Sequence, residues 1–150
     1  MNSSLQPTYD IAHEKRVIRE TWEDVVPSGD LDRLDDLVAP DLTERERRPD
    51  EAPGREGLKQ TLRWLATVFS DQRWEIHDLV AEDDVVVCRL THHARHTGDL
   101  MGIPPTGRPV AYQYVHFFRF EDGRVAEHWS VRDDMTLMRQ LGVVPGHGAG

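Results

Sequence analysis

The chain has 150 residues, a length that fits one domain with a core of its own, and 38% apolar with 30% charged residues places it among folded globular proteins. Its net charge of −9 opposes nucleic-acid binding, which needs a basic footprint; the densest basic group, Arg45, Arg47 and Arg48, is interleaved with Glu44, Glu46 and Asp50 and reads as a solvated charged segment. No apolar run approaches the roughly 18–20 residues that span a bilayer, and the opening MNSSLQPTYD has no signal-peptide pattern. The lone Cys88 lies in an apolar run as a small buried residue, so no internal disulfide forms, and a cytoplasmic protein is expected.

Residues 1–9 are polar and expected to be loose, as is the tail from 143 to 150. Asp10 caps a first helix in which Ile11, Val17, Ile18, Trp22 and Val25 recur at near-helical spacing until Pro27-Ser28-Gly29 stops it. Asp30 caps a short second helix carrying Leu31, Leu34, Leu37 and Val38, which Pro40 ends. Residues 41–48 alternate weakly and suit a short edge strand. A third helix is expected over about 55–69, with Leu58, Leu62, Leu65, Val68 and Phe69 on one stripe and Trp64 beside it.

Ser70-Asp71 breaks that pattern, and residues 73–81 and 85–97 then read as two strands about a turn at Glu82-Asp83-Asp84. A connection rich in Gly and Pro covers 98–109. Residues 110–134 form the most informative stretch, two long strands about an Asp122-Gly123 turn, since Gly accepts the positive φ that such turns require. Period-two alternation puts Tyr112, Tyr114, His116, Phe118 and Phe120 on one face of the first strand, and His128, Ser130 and Arg132 on one face of the second. Asp134 is expected to cap a last short helix that ends at Gly142. Three helices followed by two hairpins make an α+β layer architecture, and a curved sheet closing on a helix leaves a concave pocket.

His92, His93 and His96 raise the question of a metal. On a strand only His92 and His96 share a face, roughly 13 Å apart at about 3.3 Å per residue, too far to hold one ion together. No metal site is expected, and no dinucleotide or phosphate loop is present.

His96-Thr97-Gly98, Met101-Gly102-Ile103-Pro104-Pro105-Thr106, the Asp-Gly turn, Glu127-His128-Trp129 and the closing Leu141-Gly142 resemble the SnoaL-like polyketide cyclase family over residues 96–142. The helical opening SGDLDRLDDLVAPDL is typical of the wider nuclear-transport-factor-2-like fold. The resemblance implies a single cone-shaped α+β domain with its core over about residues 10–142, and a cofactor-free intramolecular aldol closure of a polyketide-like carbonyl substrate. It also implies an acid/base histidine, matched by His116, and an aspartate whose position is taken here by Ser130. A serine hydroxyl with no adjacent base is a poor proton acceptor, so the family mechanism does not transfer intact. Asp133 matches a second family aspartate.

The residues expected to carry catalysis are therefore His116, Asp133 and His128, with Tyr112, Tyr114, Ser130, His96, Phe118 and Trp64 lining the substrate. The expected function is acid/base cyclisation or isomerisation of a hydrophobic small molecule in secondary metabolism. The alternatives are hydroxylation, epoxide opening or pericyclic closure in the same pocket, or a non-catalytic binding or dimerisation module. Phe117 and Trp129 point away from the histidines, which predicts a homodimer through the outer sheet face.

Overall fold

The computed structural model describes residues 8–144. The tails expected to be loose, 1–9 and 143–150, lie mostly outside the described residues. Helix α1 (Ile11–Glu20) is capped by the Asp10 carboxylate, which accepts from the His13 backbone N–H at 3.0 Å. It runs without interruption into a π-helical turn, Thr21–Val25, and a last turn α2 (Val26–Ser28) that stops at Gly29 in the left-handed conformation. A 3₁₀ helix follows, Leu31–Asp36, shorter and tighter than the α-helix expected there.

Strand β1 (Val38–Glu44) starts before Pro40 and passes through it. Pro40 therefore ends no helix; β1 is the edge strand of the sheet, where a missing N–H breaks no ladder bond. Helix α3 (Gly54–Val68) hands over directly to β2 (Phe69–Glu82), so the break expected at Ser70-Asp71 is a bulge within a strand, with Asp71 at φ 53°. Strands β3 (Val85–His96), β4 (Pro109–Glu121) and β5 (Arg124–Arg132) complete the sheet, and helix α4 (Asp134–Leu141) closes the described chain.

The five strands order β1-β5-β4-β3-β2, antiparallel throughout except for β1, which runs parallel to β5. The two expected hairpins are present, and Asp122 and Gly123 both take positive φ (51° and 79°) at the β4–β5 turn. Alternation buries Val86, Cys88, Leu90, His92, Ala94 and His96 of β3, and Tyr112, His116, Phe118 and Phe120 of β4, on the concave face. Against that face pack the apolar sides of α1, the π turn and α3.

Two apolar clusters result. One joins Ile18, Trp22, Val25, Leu34, Leu62, Trp74, Leu90 and Phe118; the other joins Val68, Phe69, Val110, Tyr112, Leu137 and Leu141. Tyr114 touches both. The Gly98 backbone lies so close to the end of α3 that a Cβ there would meet the Thr67 carbonyl oxygen at 1.8 Å, and the Thr97 and Gly98 N–H groups both donate to the Val68 carbonyl. Among the described residues, no helix is long and apolar enough to cross a membrane.

Candidate active site

The β4–β5 register sets His116 opposite Ser130 and Phe118 opposite His128 on the concave face. His116 is 4% exposed and sits inside an aromatic stack: Tyr114 lies parallel to it at 4.9 Å between ring centres, Phe118 at 5.6 Å, Trp22 of the π turn at 4.8 Å and His128 at 5.1 Å. Its Nδ1 is 2.8 Å from His128 Nε2, and His128 Nδ1 is 2.5 Å from Glu44 Oε2. Glu44 and His128 are register partners across the parallel β1–β5 pair, which brings a carboxylate 84 residues away in sequence to the imidazole.

Hydrogen-bond chemistry orders this chain. A carboxylate oxygen only accepts, so His128 donates from Nδ1 to Glu44, and in its neutral form it offers the Nε2 lone pair. His116 then donates from Nδ1 and keeps a lone pair on Nε2, which has no partner among the described residues. Burial, followed by the neighbouring His128 and His92, holds the His116 imidazole well below its ordinary pKa, so it is neutral and able to accept a proton.

Beside this chain lies a narrow apolar cavity of about 40 Å³, walled by Ile18, Thr21, Trp22, Val26, Leu42, Leu58, Leu62, Phe118 and His128. Trp22 contributes an indole N–H that is buried and has no partner among the described residues. The π turn that carries it is the one irregular piece of the helical wall. Thr21 Oγ1 there donates back to the Val17 carbonyl at 2.8 Å.

Of the residues expected at the site, His116 stacks with Tyr114, Phe118 and His128 and pairs with Ser130 across β4–β5; Phe118 and His128 line the cavity, and His116, Tyr114 and Ser130 stand behind that wall. Tyr112 and His96 lie apart from it. Tyr112 is 2% exposed in the second apolar cluster and its hydroxyl meets His92 Nδ1 at 2.9 Å. His96, fully buried, accepts at Nδ1 from the Thr106 N–H and lies 3.0 Å from the Thr106 hydroxyl, so it pins the 98–109 connection and does not line the cavity. Trp64 is half-buried on α3 beneath the Arg48 guanidinium, outside the cavity wall.

Asp133 is also elsewhere. It, and not Asp134, is the N-cap of α4: its carboxylate accepts from the Thr136 N–H at 3.1 Å and the Thr136 hydroxyl at 2.6 Å, which lowers its pKa. Asp134 instead pairs with Arg132. The Asp133 carboxylate is engaged at the surface and does not join the histidines. Among the described residues no three or more His, Cys, Asp or Glu side chains gather to hold a metal ion. Sequence reasoning did not place Glu44, Trp22 or the apolar wall residues of α1, α2 and α3 at the site, because their membership depends on packing between distant segments. The only local signal was Trp22 on the buried stripe of α1.

A curved antiparallel sheet wrapped round helices, with a histidine chain buried at the rim of an apolar cavity, defines a small-molecule enzyme of the nuclear-transport-factor-2-like α+β class. Residues 16–141 match the model of the SnoaL-like polyketide cyclase family. The chain is 30% identical over 117 residues to nogalonic acid methyl ester cyclase of Streptomyces nogalater, covering 77% of this chain and 87% of that protein. It is 31% identical over 94 residues to aklanonic acid methyl ester cyclase DnrD of Streptomyces peucetius, covering 61% and 64%. Among solved structures, TsrD from Streptomyces laurentii superposes with a TM-score of 0.83 at 31% identity, covering 91% of this chain and all (100%) of that one. The chain belongs to the SnoaL-like polyketide cyclase family and is an enzyme of the cyclase type.

Proposed function

We propose that the protein closes a ring in a polyketide-like carbonyl substrate by intramolecular aldol addition, with His116 Nε2 as the base that removes a proton next to a carbonyl. The observation that carries this reading is the free lone pair of a buried, neutral imidazole whose other nitrogen is tied into a chain ending in a carboxylate. A base neutral at working pH has its lone pair free for a carbon acid, and the chain through His128 to Glu44 offsets the weaker basicity that burial imposes. The Trp22 indole N–H, stacked on His116 and without a partner among the described residues, is a donor for the developing enolate oxygen. Aromatic walls at Tyr114 and Phe118 suit a flat, conjugated substrate, and folding it against them supplies part of the rate by orientation. The relatives' names support the substrate class, methyl esters of polyketide acids.

A cavity of about 40 Å³ takes a water-sized guest, whereas ligand pockets run to several hundred Å³, so the helical wall must give when such a substrate enters. The π turn Thr21–Val25 is the segment we assign to that movement, because it interrupts the regular α-helical ladder beside the cavity and such turns recur at functional sites.

The outer sheet face supports a homodimer. Val80, Val87, Phe117 and Trp129 align across four strands in one row. Phe117 and Trp129 stack at 5.3 Å, Arg45 lies 3.7 Å over the Trp129 ring, and Val80 and Val131 stand 61% and 65% exposed. A cytoplasmic location fits the buried, unpaired Cys88.

The test is turnover of nogalonic acid methyl ester and aklanonic acid methyl ester by the wild type and His116→Gln. Loss of turnover by about 10²–10⁴ in the variant is expected for removal of an acid/base group. Full activity in folded His116→Gln would refute the assignment.

A further inference from the structure

The position opposite His116 on β5 is Ser130, so no carboxylate stands there to take up positive charge as His116 accepts a proton. The nearest carboxylate in this chain of contacts belongs to Glu44, and it reaches His116 only through His128. His116 is stacked among Trp22, Tyr114 and Phe118, where an imidazolium would be poorly solvated. His128 is better placed for a cation, with Glu44 at 2.5 Å and side-chain exposures of 13% for His128 and 19% for Glu44.

We infer that Glu44 and His128 form a proton store for the reaction: the proton taken by His116 is passed on, and positive charge comes to rest on His128 against the Glu44 carboxylate. This rests on the reading of His116 as the base. The steps balance. His116 Nε2 takes a proton from the substrate carbon, leaving an enolate, while the proton on His116 Nδ1 moves to His128 Nε2. His116 is then neutral with its proton on Nε2, and His128 is an imidazolium paired with Glu44.

The enolate carbon attacks the acceptor carbonyl, forming the carbon–carbon bond and an alkoxide. That alkoxide takes the proton from His116 Nε2, and His128 returns a proton from Nε2 to His116 Nδ1. Both rings end as they began, so one imidazole serves as base and then as acid with no group added or lost. Glu44 is a positioning residue here: it fixes the His128 tautomer and stabilises the stored charge, the task an orienting carboxylate performs for a catalytic imidazole elsewhere.

The test is nitrogen-15 NMR of the histidine rings in labelled protein without substrate, combined with kinetics. In the wild type, His128 and His116 are both expected to carry their proton on Nδ1, with Nε2 of each unprotonated. Glu44→Gln, at the end of a strand, should fold normally. Its amide oxygen can still accept from His128 Nδ1–H but carries no charge, so it should shift the His128 nitrogen resonances and lower kcat on the two methyl esters by about 10–10³-fold with little change in KM.

Protonation of His116 on Nε2 in the resting wild type would overturn the proposal. So would unchanged His128 nitrogen resonances in Glu44→Gln. An inactive His116→Gln alongside a fully active Glu44→Gln would sink the store and leave His116 standing as base. An active His116→Gln with the expected wild-type tautomers would remove the base reading, on which the store depends.

Discussion

His92 allows a stability prediction that does not depend on knowing the substrate. It is 1% exposed, stacked on Trp74 at 4.9 Å and 13°, and bonded at Nδ1 to the Tyr112 hydroxyl and at Nε2 to Gln72 Oε1. The amide oxygen accepts the Nε2 proton, and Nδ1 accepts from the phenol, so the neutral ring satisfies both partners and a second proton has no place to go. Burial first, and then the neighbouring His93, push the His92 pKa down to about 4. In the unfolded chain it returns to about 6.5.

Above pH 6.5 both states hold a neutral ring and nothing is lost. As pH falls below 6.5 the unfolded chain takes up a proton that the fold refuses, and stability declines until the folded ring also protonates near pH 4. The integrated loss from this one residue is about 1.4 kcal/mol at pH 5.5 and about 2.5 kcal/mol at pH 4.5, relative to pH 7.5. Urea denaturation of the wild type and His92→Gln at those three pH values measures it. Glutamine cannot titrate, so the gap in stability between wild type and variant should narrow by about these amounts as the pH falls. Parallel losses in the two proteins would refute the reasoning, because other groups, His116 and the carboxylates among them, titrate in both.

The cap at Asp133 predicts that Asp133→Ala costs about 0.5–2 kcal/mol of stability in urea melts while kcat is retained. Ser130→Ala should keep most activity in the same methyl ester assay that His116→Gln fails. Cys88 is fully buried and its thiol is pushed up to about 12 by burial, so a thiol reagent at pH 8 should label it only after denaturant is added. Val131→Glu, on an exposed side chain of the outer face, should convert a dimer into a monomer by light scattering at micromolar concentration; a monomeric wild type would count against the dimer.

Much of the framework was legible because it is written in short-range terms. The Asp122-Gly123 turn, the alternation along β3 and β4 and the apolar stripe of α3 are local patterns with periods of two or 3.6 residues, and the structure keeps all of them. The facing of His116 and His128 into one interior did not follow from parity: the two-residue turn alone would set His116 opposite Trp129, and the bulge between Arg119 and Phe120 shifts the register by one residue to set His116 opposite Ser130 and Phe118 opposite His128. Nor was the aspartate that caps α4 legible, since Asp133 and Asp134 are adjacent and only the backbone turn at the end of β5 chooses between them.

Glu44 could not be found in the sequence at all. It lies in the run of alternating acids and arginines that reads as solvated surface, and it enters the site because β1 pairs in parallel with β5 and sets Glu44 beside His128. The composition of a charged segment says where charge is cheap to expose. Which one of its carboxylates is drawn inward is decided by a register between strands more than 80 residues apart, set by the packing of the whole sheet and carried by no local pattern.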